Sequence, residues 1–388
     1  MFHTIDRISS MGLLVSGGTL LMNLLWFRPL DRTLPDEAPF VSILVPARNE
    51  ERAIEACVSS LLQQNYPAFE VIVLDDHSED ETSDILHRIQ KKCSSAASRD
   101  HIESETSLPH SCHMQILQGA PLPAGWTGKN WACHQLAEQA NSRSSYLLFT
   151  DADTTHAPDA LRRTIAEAER EQVDLLSLLP RQQVETWAEV ATVPLLALQI
   201  LGYLPLPALE WLPIAAFAAA NGQFMLFNRA IYQRLGGHLA CASTMAEDVE
   251  LARLVKQYNG RVRLKNGIDL VTCRMYHKQS EVVAGFRRSF GSGFRIDAGV
   301  ASIVTATNFL VYLWPFLRVR YHRLARILAT IIICLRLLLA WRTATPTRSA
   351  MAHPLGITLM LWAQLLAIYD TFIRKQAKWK GRDYDKEP

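Results

Sequence analysis

Residues 145–158, SYLLFTDADTTHAP, run a short apolar stretch directly into two aspartates, Asp151 and Asp153, one residue apart. The apolar part reads as a buried strand. In an open α/β sheet, whatever follows the carboxyl end of such a strand stands where ligands bind. An isolated Asp-x-Asp reads equally well as a turn or a helix cap, and Asp159, next to Pro158, is explained that way. What lifts Asp151 and Asp153 out of that class is repetition upstream.

VSILVP (41–46) and EVIVLD (70–75) are rich in β-branched residues and read as buried parallel strands. Between them, Ile54, Cys57, Val58, Leu61 and Leu62 fall on one helical face within 50–64, which closes a βαβ unit. The spacing of Ser78 and Glu81 predicts a capping box opening the next helix, and the polar stretch 93–113 predicts a loop. Strands are expected at 114–118, 145–150, 174–179 and 222–227, with a helix over 129–140. The fold class is therefore α/β, a mostly parallel sheet flanked by helices.

Polar residues collect behind three of these strands: Arg48, Asn49 and Glu50 after the first, Asp75 and Asp76 after the second, Asp151 and Asp153 after the third. So many carboxylates at neighbouring strand ends repel one another unless a cation or hydrogen-bond donors compensate. Hard oxygen ligands at this spacing suit Mg or Mn, which also bridge to a diphosphate. Asp75 and Asp76 can accept hydrogen bonds from ribose hydroxyls or a base N–H.

The chain is 49% hydrophobic over 388 residues, with a mean hydropathy of +0.03, too apolar for an ordinary soluble enzyme and too charged to be membrane throughout. Residues 8–27 carry no charge and are long enough to cross a bilayer. Arg7 is the only basic residue ahead of them and no A-x-A follows, so an anchor is expected rather than a signal peptide. Further apolar segments lie at 298–317, 324–341 and 353–371, the second burdened by Arg326 and Arg336. Basic runs at 318–323 and 374–380 conflict under the positive-inside rule, which leaves the number of C-terminal crossings open. The stretch 192–220 is apolar but broken by Pro194, Pro205, Pro207 and Pro213, and predicts short helices at the membrane surface, along an apolar groove or in the core. The expected organisation is an anchor at 1–32, an α/β domain at 40–290, membrane helices at 296–373 and a polar tail at 374–388.

Net charge is +2 from 40 basic and 38 acidic side chains, with no basic block carrying interleaved aromatics, so no nucleic-acid partner is expected. The seven cysteines are scattered and lack CxxC spacing, which suggests neither a disulfide framework nor a zinc site and fits a reducing compartment. HSCH at 110–113 reads as loop decoration.

VSILVPARNEE, EVIVLDDHSEDET, GWTGKNWA, LLFTDADTTHAPDAL and AEDVELARLVKQYNGRVRL, in that order, resemble the family 2 glycosyltransferases, which have the Rossmann-like GT-A fold and use nucleotide-sugar donors. GAPLPAGWTGKNWAC and the terminal apolar segments look most like the membrane-bound branch that glycosylates carotenoids and its hopanoid-associated relatives. The resemblance implies that Pro46, Arg48, Glu50 and Asp76 line the nucleotide pocket, that Asp151 faces the donor, and that Asp153 holds the divalent metal on the diphosphate. It implies a catalytic acidic pair in AED (246–248), with Asp248 as general base and Glu247 beside it; alone, these acids read as a helix N-terminus. Lys129 is expected to neutralise phosphate or orient the sugar, and Trp126 and Trp131 to pack on ligand or in the core. Segment 277–295 lacks the Arg-Trp pair of processive synthases. Its Arg287, Arg288 and Arg295 are candidates for diphosphate or lipid headgroups, and His277 for an extra metal ligand. The implied activity is inverting transfer, from what is expected to be a UDP-sugar, to a membrane-dissolved carotenoid or related polyisoprenoid. Polyprenyl phosphate, a sphingolipid-like lipid, a glycan, or a non-catalytic scaffold of the same fold are the alternatives. The expected location is the bacterial cell membrane, with the catalytic domain cytoplasmic.

Overall fold

The computed structural model describes residues 2–31, 38–103, 114–292, 298–374, 376–379 and 382–385. The chain forms two compact units. A sheet unit comprises Phe27–Arg181 and Pro207–Cys273, and a helical unit comprises Met1–Trp26, Gln182–Leu206 and Arg274–Pro388.

The sheet unit is built on eight strands: β1 (Val41–Ala47), β2 (Phe69–Asp75), β3 (Met114–Gln118), β4 (Tyr146–Phe149), β5 (Thr154–His156), β6 (Leu175–Gln182), β7 (Met225–Asn228) and β8 (Val262–Cys273). Their order across the sheet is β3-β2-β1-β4-β7-β6-β8-β5. β3, β2, β1 and β4 run parallel, whereas β7 is antiparallel to both β4 and β6, and β5 to β8. Val41, Ile43, Leu44 and Val45 are fully buried, as a strand covered on both faces requires. The helix Ile54–Leu62 buries Ile54, Cys57, Val58 and Leu61 against it, the face expected from their spacing.

Several local expectations are corrected. Residues 78–81 form a turn instead of a cap: Ser78 N–H bonds to Asp75, and Asp80 accepts from the N–H and hydroxyl of Thr82, where the helix begins. That helix runs Thr82–Glu103, through part of the expected loop. Asp159 stands at the start of the helix Ala160–Glu171, but its carboxylate pairs with Arg163 and does not cap. Cys93 is disulfide-bonded, against the expectation of scattered thiols. The 110–113 cluster and Arg295 lie outside the described residues, as does the side chain of Arg288.

In the helical unit, Thr4–Trp26, Ala298–Arg318, Arg323–Arg342 and His353–Phe372 are each long and apolar enough to cross a membrane. Polar groups among them turn inward. Arg336, 1% exposed, donates to the carbonyls of Pro194 (2.9 Å) and Ser349 (3.2 Å), and Asn23 donates to those of Leu201 and Leu204. A Cβ on Gly356 would lie 1.9 Å from the Ala191 carbonyl oxygen, so only glycine permits that approach. Arg287 pairs with Asp370. His277 also belongs to this unit, where its N–H bonds to Glu281. The 192–220 stretch divides: Leu195, Leu198 and Leu201 of the helix Pro194–Tyr203 are buried in the helical unit, while 207–220 belongs to the sheet unit.

Candidate active site

β1 and β2 end flush, Ala47 paired with Asp75 and Asp76 N–H bonded to Ala47 O at 2.8 Å, while β4 ends opposite Leu44, where Thr150 N–H bonds to Leu44 O at 3.2 Å. The loops after β1 and β2 interlock. Arg48 Nη1 donates to Asp76 O at 2.6 Å, and Asn49 Oδ1 accepts from Glu79 N–H at 2.8 Å. Asn49 and His77 take left-handed backbone, with φ of 54° and 55°, to make these turns. Asp75 is spent within its own loop on Ser78 N–H, at 3.0 Å. Pro46 stands in β1 opposite Leu74.

Below Asp151, a buried polar net fixes the backbone of the DAD turn. Thr154 donates its hydroxyl to Asp151 O at 2.8 Å, Thr150 donates to Gln223 O at 2.8 Å, and His156 Nε2 lies 3.2 and 3.0 Å from the two threonine hydroxyls. Burial lowers the His156 pKa to about 3, so the ring is neutral and serves as scaffold.

The carboxylates meet at Lys129. Its ammonium lies 2.7 Å from Asp151 Oδ1 and 2.8 Å from Glu247 Oε1, joining the end of β4 to the start of the helix Glu247–Gln257. Lys129 opens the helix Gly128–Gln139, capped by Thr127, whose hydroxyl accepts from Asn130 N–H. Asn130, completely buried, donates its amide to the carbonyls of Cys241 (2.7 Å), Ala242 (3.1 Å) and Thr244 (2.7 Å). One helix start thus holds both Glu247 and the loop leading to it. Asp248 accepts from Gly222 N–H (3.1 Å) and from Val249 N–H (2.8 Å). A Cβ on Gly222 would sit 3.1 Å from Lys129 Nζ and 3.4 Å from Glu247 Oε1, so a side chain there would crowd the ion pair.

Electrostatics separate the acids. Burial, then the charge of Glu247, pushes the Asp248 pKa up to about 6, against Lys129 and its two N–H donors. Burial, then Asp151 and Glu50, pushes Asp153 up to about 7, against a hydrogen bond with Cys273 and the charge of Lys129. Asp153 Oδ1 is buried with no hydrogen-bond partner. A buried carboxylate oxygen without a donor suits a divalent cation. Among the described residues no three His, Cys, Asp or Glu side chains converge to hold an ion. The donor set fits a divalent cation held by few carboxylates.

Trp126, Trp131 and His134 stack at the edge of this site, with ring centroids 5.1 to 5.6 Å apart. Sequence reasoning missed Asn130, Gly222 and Cys273. An internal asparagine, a lone glycine and a buried thiol carry no local pattern that marks them.

Residues 38–291 match the family described as "Glycosyltransferase like family 2". The chain belongs to that family. It is accordingly a glycosyltransferase. The 4,4'-diaponeurosporenoate glycosyltransferase of Staphylococcus haemolyticus is 25% identical over 312 residues, which cover 79% of this chain and 74% of that one. The enzyme of the same name from Staphylococcus aureus strain USA300 is 25% identical over 249 residues, 64% of this chain and 59% of its own, so less than two thirds of that relative is spanned. A mannosyltransferase from Pyrobaculum calidifontis, solved in complex with GDP-Man and Mn2+, aligns over 96% of this chain and 99% of its own, with a TM-score of 0.56 and 17% identity. The fold is GT-A, and this chain also has four helices long and apolar enough to cross a membrane.

Proposed function

We propose that this glycosyltransferase moves one sugar, with inversion, from a nucleotide-diphosphate donor of the UDP-sugar class to a lipid acceptor dissolved in the membrane, a carotenoid or related polyisoprenoid. The observation that carries it is the Lys129 bridge, which brings the DAD turn and the AED helix to one point. The names of the two staphylococcal relatives support the acceptor class, and the four apolar helices support its delivery from a bilayer.

Asp153 would hold the divalent metal, which when bound offsets the charge of the departing diphosphate. Asp151, fixed by Lys129, faces the donor. Asp76 and its partner Arg48, with Pro46, Glu50 and Asp75, shape the nucleotide pocket. Asp248, ionised above about pH 6, takes the proton of an acceptor hydroxyl as that oxygen attacks the anomeric carbon. The bond from that carbon to the diphosphate oxygen breaks on the opposite face, and the nucleoside diphosphate leaves. No enzyme nucleophile is needed. The sheet unit would work on the cytoplasmic side, where nucleotide sugars are made.

The test uses the full chain in phospholipid nanodiscs, with radiolabelled UDP- and GDP-sugars, Mn2+ or Mg2+, and a panel of terpenoid hydroxyl and carboxyl acceptors. Label should enter the organic phase, and proton NMR of the product should show the opposite anomer to the donor. Absence of lipid label with every donor overturns the proposal, and a retained anomer overturns the inverting mechanism.

A further inference from the structure

The sheet unit carries an apolar feature that its core does not use. Where the helix Leu206–Trp211 gives way to the turn Ala215–Phe217, four consecutive residues are exposed: Trp211 (65%), Leu212 (41%), Pro213 and Ile214 (46%). Runs of exposed apolar side chains disfavour a water-facing surface and call for a function.

The backbone beneath this tip is not left to water. Lys256, 4% exposed, sends its ammonium to the carbonyls of Leu209 and Leu212, the latter at 2.8 Å. Arg263 Nη1 donates to Glu210 O at 3.0 Å, and the Glu210 carboxylate lies 3.4 Å from Lys265 Nζ. Leu212 N–H bonds to Ala208 O, Ile214 O accepts from Phe217 N–H, and Pro213 has no N–H to satisfy. A loop with part of its polar backbone already bonded inside the protein enters the hydrated headgroup boundary at lower cost than an ordinary loop, its remaining groups meeting water there.

We propose that Trp211–Ile214 dips into the boundary between headgroups and acyl chains of the bilayer to which the chain is tethered. The four helices long and apolar enough to span a membrane would tether the chain to a bilayer. Tryptophan beside aliphatic residues is the composition that settles at that depth, roughly 5–10 Å below the headgroups. The turn Ala215–Phe217 packs against the helix Glu247–Gln257, and Lys256 ties that helix to the tip from its other end. Immersion of the tip therefore fixes the depth of Glu247 and Asp248. The proposal rests on the exposed residues and the tether, independently of the reaction above.

The experiment places a nitrobenzoxadiazole dye on Ile214→Cys in the full chain, with the exposed Cys334→Ser to remove background labelling, in phosphatidylcholine–phosphatidylglycerol nanodiscs. Lys91→Cys, on an exposed position of the helix beside β3 at the far edge of the sheet, is the reference. The dye at 214 should emit at shorter wavelength than at 91 and be quenched roughly twofold by lipids spin-labelled near the headgroup, the depth of an interfacial segment. Equal emission at the two positions, with no quenching at 214, overturns the proposal. Quenching at 214 in nanodiscs that transfer no sugar upholds the immersion and rejects the reaction.

Discussion

The sheet unit contains two clusters of acids and bases made from the same residue types. In one, Lys265 lies 3.4 Å from each of Glu167, Glu171 and Glu210, Arg263 lies 2.7 Å from Glu171, and Arg170 pairs with Glu167 and with Asp31. Every one of those carboxylates faces a cation. In the other, Lys129 alone meets Asp151 and Glu247, while Asp153 and Asp248 have no ion-pair partner among the described residues. The first arrangement cancels its charge and supports the fold. The second keeps two half-buried carboxylates short of compensation, with pKa values raised to about 7 and 6, and such a deficit is what a cation or an incoming proton relieves.

Asp153→Asn is the change that should break the second cluster most completely. It keeps the shape and removes the charge. Turnover should fall roughly 10⁴-fold, the several kcal/mol of leaving-group stabilisation that a metal supplies. Mn2+ should raise the unfolding temperature of the wild type and leave that of the variant unchanged, because only a protein that binds the ion is stabilised by it. A variant that keeps both responses would show that the uncompensated oxygen of Asp153 holds nothing.

Asp248→Asn should cost about 10³-fold with a hydroxyl acceptor, within the range for loss of a general base. In the wild type, kcat/KM should rise as pH increases through about 6, as Asp248 loses its proton, and then level off. The variant should lack that limb. An acceptor that attacks through a carboxylate is already ionised, so with it both the loss and the limb should shrink. The pH profile thus distinguishes a lipid alcohol from a lipid acid.

Much of this contrast was legible in the sequence, for a physical reason. Buried parallel strands announce themselves by composition, so the positions of Asp76, Asp151 and Asp153 just past the ends of two of them could be read without a structure. The four apolar helices were legible by length. The alternation of Val262 and Leu264 with Arg263 and Lys265 was also a usable strand signal, passed over for β8. β5, three residues long, offers no period to read. The Lys129 bridge could not be read at all, because Lys129 and Glu247 are remote in sequence and meet only when the sheet has formed. For that reason the lysine is expected from sequence to neutralise phosphate or orient the sugar, and its position between two acids is seen only in the fold. Asn130 was invisible for the same reason: its three acceptors are backbone carbonyls of a distant loop, and any residue type supplies a carbonyl.

Lys129→Met tests whether that bridge matters to the chemistry. The buried Glu247 and the half-buried Asp151 would lose their shared cation, and turnover should fall about 10²-fold, as when one preorganised electrostatic partner is removed. Lys129 lowers the pKa of Asp248, so its loss should move the acid limb of kcat/KM to higher pH. A fall in rate with an unmoved limb would assign the lysine to the donor alone, and sharpen the contrast by taking Asp248 out of its reach.

Lys265→Met is the counterpart in the fully paired cluster. It removes the cation shared by three glutamates, leaving them Arg170 and Arg263, and the lysine is mostly buried, at 16% side-chain exposure. Hydrogen exchange of the β8 amides should show local stability lowered by about 2–3 kcal/mol, less than for a fully buried pair because some solvent reaches the cluster and two arginines remain in it. Nucleotide binding and turnover should stay within about twofold below the unfolding temperature, since substitutions at distant sites with no shared partners act independently. Glu210 also carries the support of the Trp211–Ile214 tip, so a loss of turnover in nanodiscs with donor binding intact would mean that the two clusters are coupled through the loop they share. The division between a structural and a chemical cluster holds only if stability and turnover respond separately.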